Sequence, residues 1–249
     1  MAADALIINA DDLGLWPSVD RGIFAAWAAR SVSDSTVFAN TPDLAAILAH
    51  ATAENLPVGV HLNLTHGKPL SDPAEIPALV TADGVFMKRT AWMLPLPVTQ
   101  VRLELFRQVE RLLAYGWRPS HLDSHHHIHT YPEVQSVVVE LAQQHGLPVR
   151  AVNEEIRQTL GDAGVATPDH FSMVFYGEYA SVETLMQLVE ECPGGVLEIM
   201  THPGYVTPGL PSSYSEEREQ ELRVLSAPRW REYLTAQRIP LIGYDALRR

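Results

Sequence analysis

Only one cysteine, Cys192, occurs in the 249 residues, so no internal disulfide can staple the fold and nothing calls for an oxidising compartment. No apolar run approaches the roughly 18 residues that a membrane-spanning helix needs. The first residues carry no basic stretch ahead of a long apolar one, so no secretory leader is expected and the cytoplasm is the expected location. Positive charge is scarce. Eighteen Lys and Arg against 30 Asp and Glu leave a formal charge of −12, which disfavours nucleic acid, since a polyanion needs clustered cations. A neutral or cationic small molecule stays open as a partner. Gly-x-Gly-x-x-Gly and phosphate-loop patterns are missing, which removes support for nucleotide binding. With no repeat or low-complexity linker, one domain over residues 1–249 is expected.

What the chain does have is a succession of short apolar runs and amphipathic stretches. Strands are predicted near 6–10, 35–38, 58–64, just before the histidines at 125–127, and at 149–152, 171–175, 196–200 and 239–242. Helices are predicted from Pro17, which precedes Ile23, Phe24 and Trp27, and over 42–48, 101–115, 132–146 and 182–191. Residues 216–225 and 229–237 read as charged surface helices, and 153–169 as irregular. Between 66 and 97 there is no periodicity and five prolines, a loop long enough to serve as a lid, a substrate wall or a subunit contact. Trp92, Met93 and Leu94 are its candidates for a homodimer contact. Strands alternating with helices imply a parallel sheet, and seven or eight such units suit an α/β fold of the (β/α) barrel type, with an open doubly wound sheet as the alternative.

Residues 121–129 read His121-Leu122-Asp123-Ser124-His125-His126-His127-Ile128-His129, five of the chain's 11 histidines. An internal, interrupted run is not a purification tag, and clustered imidazoles with acids point to a metal or catalytic site. In a parallel barrel, working groups sit at the C-terminal ends of strands. Asp11 and Asp12, His61 and Asn63, residues 123–129, and His202 all fall at such ends. One Asp with one His from the third strand and one from the cluster would make a two-histidine, one-carboxylate site for a divalent ion. A second Asp would take a proton from a water, and His202 would protonate a leaving group, which amounts to metal-assisted hydrolysis. Alternation along a strand end predicts His125 and His127 facing the pocket and His126 packing elsewhere. Asp123, with His127 or His129, is then expected to orient His125.

Each position has a plainer reading. Asp11 and Asp12 suit a turn or helix start, His61 a satisfied core histidine, and His202 an ordinary loop. His66, His145 and His170 are read as structural or surface residues, and Glu216 to Glu221 as a solvated face. Four strand ends delivering acids and imidazoles to one rim outweigh these readings together. Two rival functions remain: another metallohydrolase such as a phosphoesterase, and a non-catalytic metal- or sugar-binding barrel.

Several motifs resemble the YdjC/ChbG family of carbohydrate deacetylases. They are Asn9-Ala10-Asp11-Asp12-Leu13-Gly14, the run from Gly59 through His61 to Thr65 with Gly67-Lys68-Pro69-Leu70, the histidine cluster, Phe175-Tyr176-Gly177-Glu178, and the run from Glu198 to His202 and Pro203. The resemblance implies a distorted TIM-like (β/α) barrel related to NodB-type polysaccharide deacetylases. It implies N-deacetylation of acetylated amino sugars, such as chitooligosaccharides, with a divalent metal, Mg²⁺ or Zn²⁺. By the same resemblance Asp11 is the general base, Asp12, His61 and His125 are metal ligands, and His202 is the general acid. Asn63, Asp123, His127 and His129 are expected to support those ligands or meet substrate.

Overall fold

Nine consecutive buried residues, Ala5–Leu13, form β1, the continuous apolar run expected of a parallel strand covered on both faces. The computed structural model describes residues 2–210 and 212–248. Beside β1 lie β2 (Asp34–Val37), β3 (Val58–Leu62), β4 (Leu122–Ser124), β5 (His170–Ser172) and β6 (Val196–Thr201). They pair in the order β4-β3-β2-β1-β6-β5, parallel at every junction. Around the sheet run α1 (Pro17–Ala28), α2 (Leu44–Glu54), α3 (Val98–Ala114), α4 (Pro132–His145), α5 (Glu154–Asp162), α6 (Val182–Glu191), α7 (Glu216–Leu225) and α8 (Pro228–Gln237).

The distorted (β/α) barrel is what the chain forms, and the distortion is that the sheet stays open, with β4 and β5 as its edges. Two predicted strands shrink to single parallel bridges, Leu122 with Val149 and Leu6 with Leu241. The sheet is nevertheless strongly curled. Arg150, next to the β4 edge, reaches Asp11 on β1 and Glu198 on β6, which lie three and four strands away. A flat sheet with strands about 4.8 Å apart would put those groups beyond one side chain's reach.

Two segments differ from expectation. Residues 154–162 are helical, capped by the Asn153 side chain on the Ile156 N–H. With only Ile156 and Leu160 buried on it, α5 is too short for periodicity to announce. The proline-rich loop after β3 is anchored inward: Ile76, Leu79, Phe86 and Leu96 are buried. Glu104 and Gln108, two buried polar residues of α3, accept from the backbone N–H groups of Leu70, Ser71 and Asn63. Trp92 packs edge-on against Tyr131, while Met93 and Leu94 are exposed.

Candidate metal centre and active site

In a regular strand, adjacent side chains point to opposite faces, so Asp11 and Asp12 should diverge. A register shift between Ala10 and Leu13 prevents that, and Asp12 takes a left-handed φ of 73°, a conformation aspartate tolerates better than most residues. Both carboxylates end up buried at one rim with different partners. Asp11 accepts two bonds from the Arg150 guanidinium, at 2.7 and 2.8 Å, and one from Asn9 at 2.7 Å. Burial would raise its pKa, but Arg150 outweighs burial and holds the carboxyl well below the usual range. Arg150 itself is fully buried and also meets Asp123 at 2.9 Å and Glu198 at 2.8 Å.

Asp12 is tied through Oδ2 to Arg218 at 2.6 Å. Its other oxygen, Oδ1, is buried without a hydrogen-bond partner and lies 3.4 Å from His61 Nε2 and 3.3 Å from His125 Nδ1. One ligand atom from each of Asp12, His61 and His125 falls within 4.8 Å of the others, so this cluster can coordinate a divalent ion. The orphaned oxygen is what fits: a buried carboxylate oxygen facing two imidazole nitrogens is a donor set that a divalent cation would complete. His61 is braced from behind, since its Nδ1 contacts Asp123 Oδ1 at 2.7 Å and Thr36 Oγ1 at 3.1 Å. Burial works against a charge on His61, yet Asp123 and Asp12 prevail and its pKa is pushed up to about 10.

The histidine run does not continue β4 as alternation predicted. His126 and His127 both adopt left-handed φ, 57° and 52°, inside a 3₁₀ turn over His125–Thr130. His126 therefore lies close against His125, with ring centroids 3.8 Å apart and planes tilted by 35°, and lines the pocket mouth. His127 packs edge-on to Phe171, and burial together with Arg150 pushes its pKa down to about 3. His129 is buried on Ser124 at 2.5 Å. Asp123 braces His61, so the expected orientation of His125 by Asp123, His127 or His129 is corrected. Asn63 builds the turn after β3, its side chain accepting from the N–H groups of Thr65 and His66. His121, just ahead of β4, is buried and stacked on Tyr244.

A second correction concerns α7. Its first turns are not merely a solvated face, because Arg218 and Glu221 are buried with Leu222 and Leu225 on the inner stripe. Glu221 accepts the His202 backbone N–H and the Tyr214 hydroxyl, and its Oε1 lies 3.8 Å from His202 Nδ1. Burial opposes a charge on His202, but Glu221 wins and its pKa is raised. The spacing 218, 221, 222, 225 was visible in the sequence as two charges inside an apolar stripe. Arg150 showed itself only as a lone charge in a short apolar run, and Thr36 carried no signal. His66, read as structural or surface, sits at the pocket mouth with its ring 6.1 Å from that of His125. Lys88, Arg89 and Arg218 share this lining, which holds no carboxylate among the described residues.

A family profile described as YdjC-like protein matches residues 5–236. A carbohydrate deacetylase of Geobacillus stearothermophilus is 36% identical over 243 residues, covering 96% of each chain. A chitooligosaccharide deacetylase of Serratia marcescens is 36% identical over 239 residues, 90% of this chain and 91% of that one. Among solved structures, a candidate cellobiose-phosphate cleavage protein of Enterococcus faecalis superposes over the whole of both chains with a TM-score of 0.92 at 30% identity. A family 4 carbohydrate esterase of Streptomyces lividans, solved with acetate, shares the fold at TM-score 0.52 and 13% identity, over 96% of this chain and 92% of that one.

Proposed function

This chain belongs to the YdjC-like family, and from that membership we propose that it is a metal-dependent deacetylase removing the N-acetyl group of an acetylated amino sugar, chitooligosaccharides included. The observation that carries the reading is the unpartnered Asp12 Oδ1 facing His61 and His125, with a differently partnered aspartate beside it. Asp12, His61 and His125 would hold the divalent ion, and two imidazoles with one carboxylate suit Zn²⁺ better than Mg²⁺. When bound, such an ion supplies the Lewis acid, acidifying a water and polarising the acetamide carbonyl.

The chain's own residues handle the protons. Asp11, kept ionised and fixed by Arg150, takes a proton from the attacking water. A carboxylate this acidic is a weak base that gives the proton back readily. His202, whose pKa Glu221 raises, delivers a proton to the amide nitrogen as the C–N bond breaks, releasing acetate and the free amine. A binding module would need the ligands but no base, and the separate environment built around Asp11 argues for catalysis.

Lys88, Arg89 and Arg218 in the mouth favour one second reading, a phosphoesterase, because a phosphate ester calls for a cationic rim. Incubating metal-loaded protein with N-acetylglucosamine oligomers and assaying acetate tests the proposal. Release of phosphate from sugar phosphates without acetate from the oligomers would support the rival, and neither product would leave a binding protein. No helix among the described residues is long and apolar enough to cross a membrane, and the single, buried cysteine suits the cytoplasm as the place of action.

A further inference from the structure

The motif Phe175-Tyr176-Gly177-Glu178 has no part in the proton transfers above. Phe175 is buried, whereas Tyr176 is 44% exposed and sits in a groove with Met173, Val174 and Tyr179, all of them exposed. One face of the Tyr176 ring stacks on Tyr214, with centroids 4.1 Å apart and planes at 14°. Its ring also meets His202 edge-on at 5.6 Å. We propose that this groove is a subsite for the neighbouring pyranose ring of an oligosaccharide substrate, stacked by its C–H face on Tyr176. The proposal rests on the deacetylase reading and extends it to a substrate of more than one sugar.

Three features support the sugar as occupant. The groove adjoins the reaction site, because the Tyr176 ring that lines it packs edge-on against the imidazole assigned to the leaving amine. A sugar linked to the reacting one would therefore lie within a residue's length of His202. The groove is largely apolar, and Glu178 is the one acidic or basic side chain in its lining, so it offers no cation to a phosphate or carboxylate and suits an uncharged ring. It is also held rigidly. Gly177, at a φ of 59° that glycine accepts freely, donates its N–H to the Tyr214 hydroxyl at 2.8 Å. That hydroxyl donates to Glu221, which also receives the His202 backbone N–H. Platform and proton donor thus share one frame, and a preorganised aromatic face costs little to bind against.

The test is calorimetric titration with triacetylchitotriose in an Asp11→Asn background, which slows turnover. Tyr176→Ala is expected to weaken binding about tenfold, the size of one aromatic stacking contact, and Tyr176→Phe to stay within about twofold. Equal affinity in the alanine variant overturns the subsite, as does a phenylalanine variant that loses as much as alanine. Tyr179→Ala, a change on the exposed rim, guards against misfolding and should weaken binding by about two- to fivefold; an unchanged affinity there, with an unfolded Tyr176→Ala, also counts against the subsite. Acetate release by the wild type separates the two readings. Turnover with no Tyr176 effect on binding defeats the subsite alone, and Tyr176-dependent binding without acetate release defeats the deacetylase alone.

Discussion

Removing Arg150 is the severest single change this site offers. Its guanidinium is fully buried and holds Asp11 through two bonds, Asp123 at 2.9 Å and Glu198 at 2.8 Å. Burial and then Arg150 act oppositely on Glu198, whose pKa is pushed up to about 7, so this carboxyl is partly neutral near pH 7. Asp11 is the carboxylate that depends most on the arginine. Arg150→Met keeps the volume and removes the charge, and stranding a buried carboxylate costs about 3–5 kcal/mol. At a urea slope of roughly 2–3 kcal/mol per molar, the midpoint should fall by about 1–2.5 M at pH 7. Chelator in the buffer keeps a bound ion from contributing. The pH dependence carries the sharper test. In the wild type Asp11 has a lowered pKa, so its contribution is present above the unfolded value near 4 and is lost on acidification through the folded value. Without Arg150 burial dominates and raises that pKa, so the variant gains stability relative to the wild type as pH falls from 7 to 5. Adding Asp11→Asn should return part of the loss. A penalty below about 1 kcal/mol at pH 7, or one that grows on acidification, would refute Arg150 as the counter-charge.

Further expectations follow from the same geometry. His125→Ala should abolish stoichiometric metal by elemental analysis, and added Zn²⁺ should raise the Tm of the wild type only; full occupancy in the variant contradicts the ligand set. Asp11→Asn should keep its metal and lose about 10²–10⁴-fold in kcat, and undiminished turnover would remove Asp11 as base. Glu221→Gln withdraws the group that raises His202, so the alkaline limb of the kcat profile should move to lower pH, and a fixed limb speaks against His202 as acid. Asp34 is buried beneath the site, and burial pushes its pKa up to about 8. The folded chain therefore keeps a proton that the unfolded chain gives up near pH 4, and stability falls as pH rises from about 4 to 8. Asp34→Asn can still accept the Tyr244 N–H and should flatten that decline in urea titrations at pH 5 to 8; a slope equal to wild type excludes Asp34 as its source.

Much of this was legible before any coordinates. The buried run of β1, the polar strand ends and the histidine cluster are local patterns, since strand burial and its termination are written in adjacent residues. That one aspartate, the third-strand histidine and one histidine of the cluster would meet could be expected, because acids and imidazoles are unusual side chains in apolar surroundings; the choice of Asp12 and His125 came from the family resemblance. Arg218 and Glu221 were read as solvated because charge usually means exposure, and only the packing of α7 over the rim reverses that rule.

By itself, then, the sequence determined that parallel strands would carry acids and imidazoles to one rim. The tertiary structure decided which groups face one another: the bulge that turns Asp12 beside Asp11, the left-handed pair that swings His126 into the mouth, and the two arginines, Arg150 and Arg218, that give the aspartates different partners. The reason is physical. Periodicity reports which side of an element is buried, but a pKa and a ligand geometry depend on neighbours far apart in the chain, 206 residues for Asp12 and Arg218 and 210 for Asp34 and Tyr244.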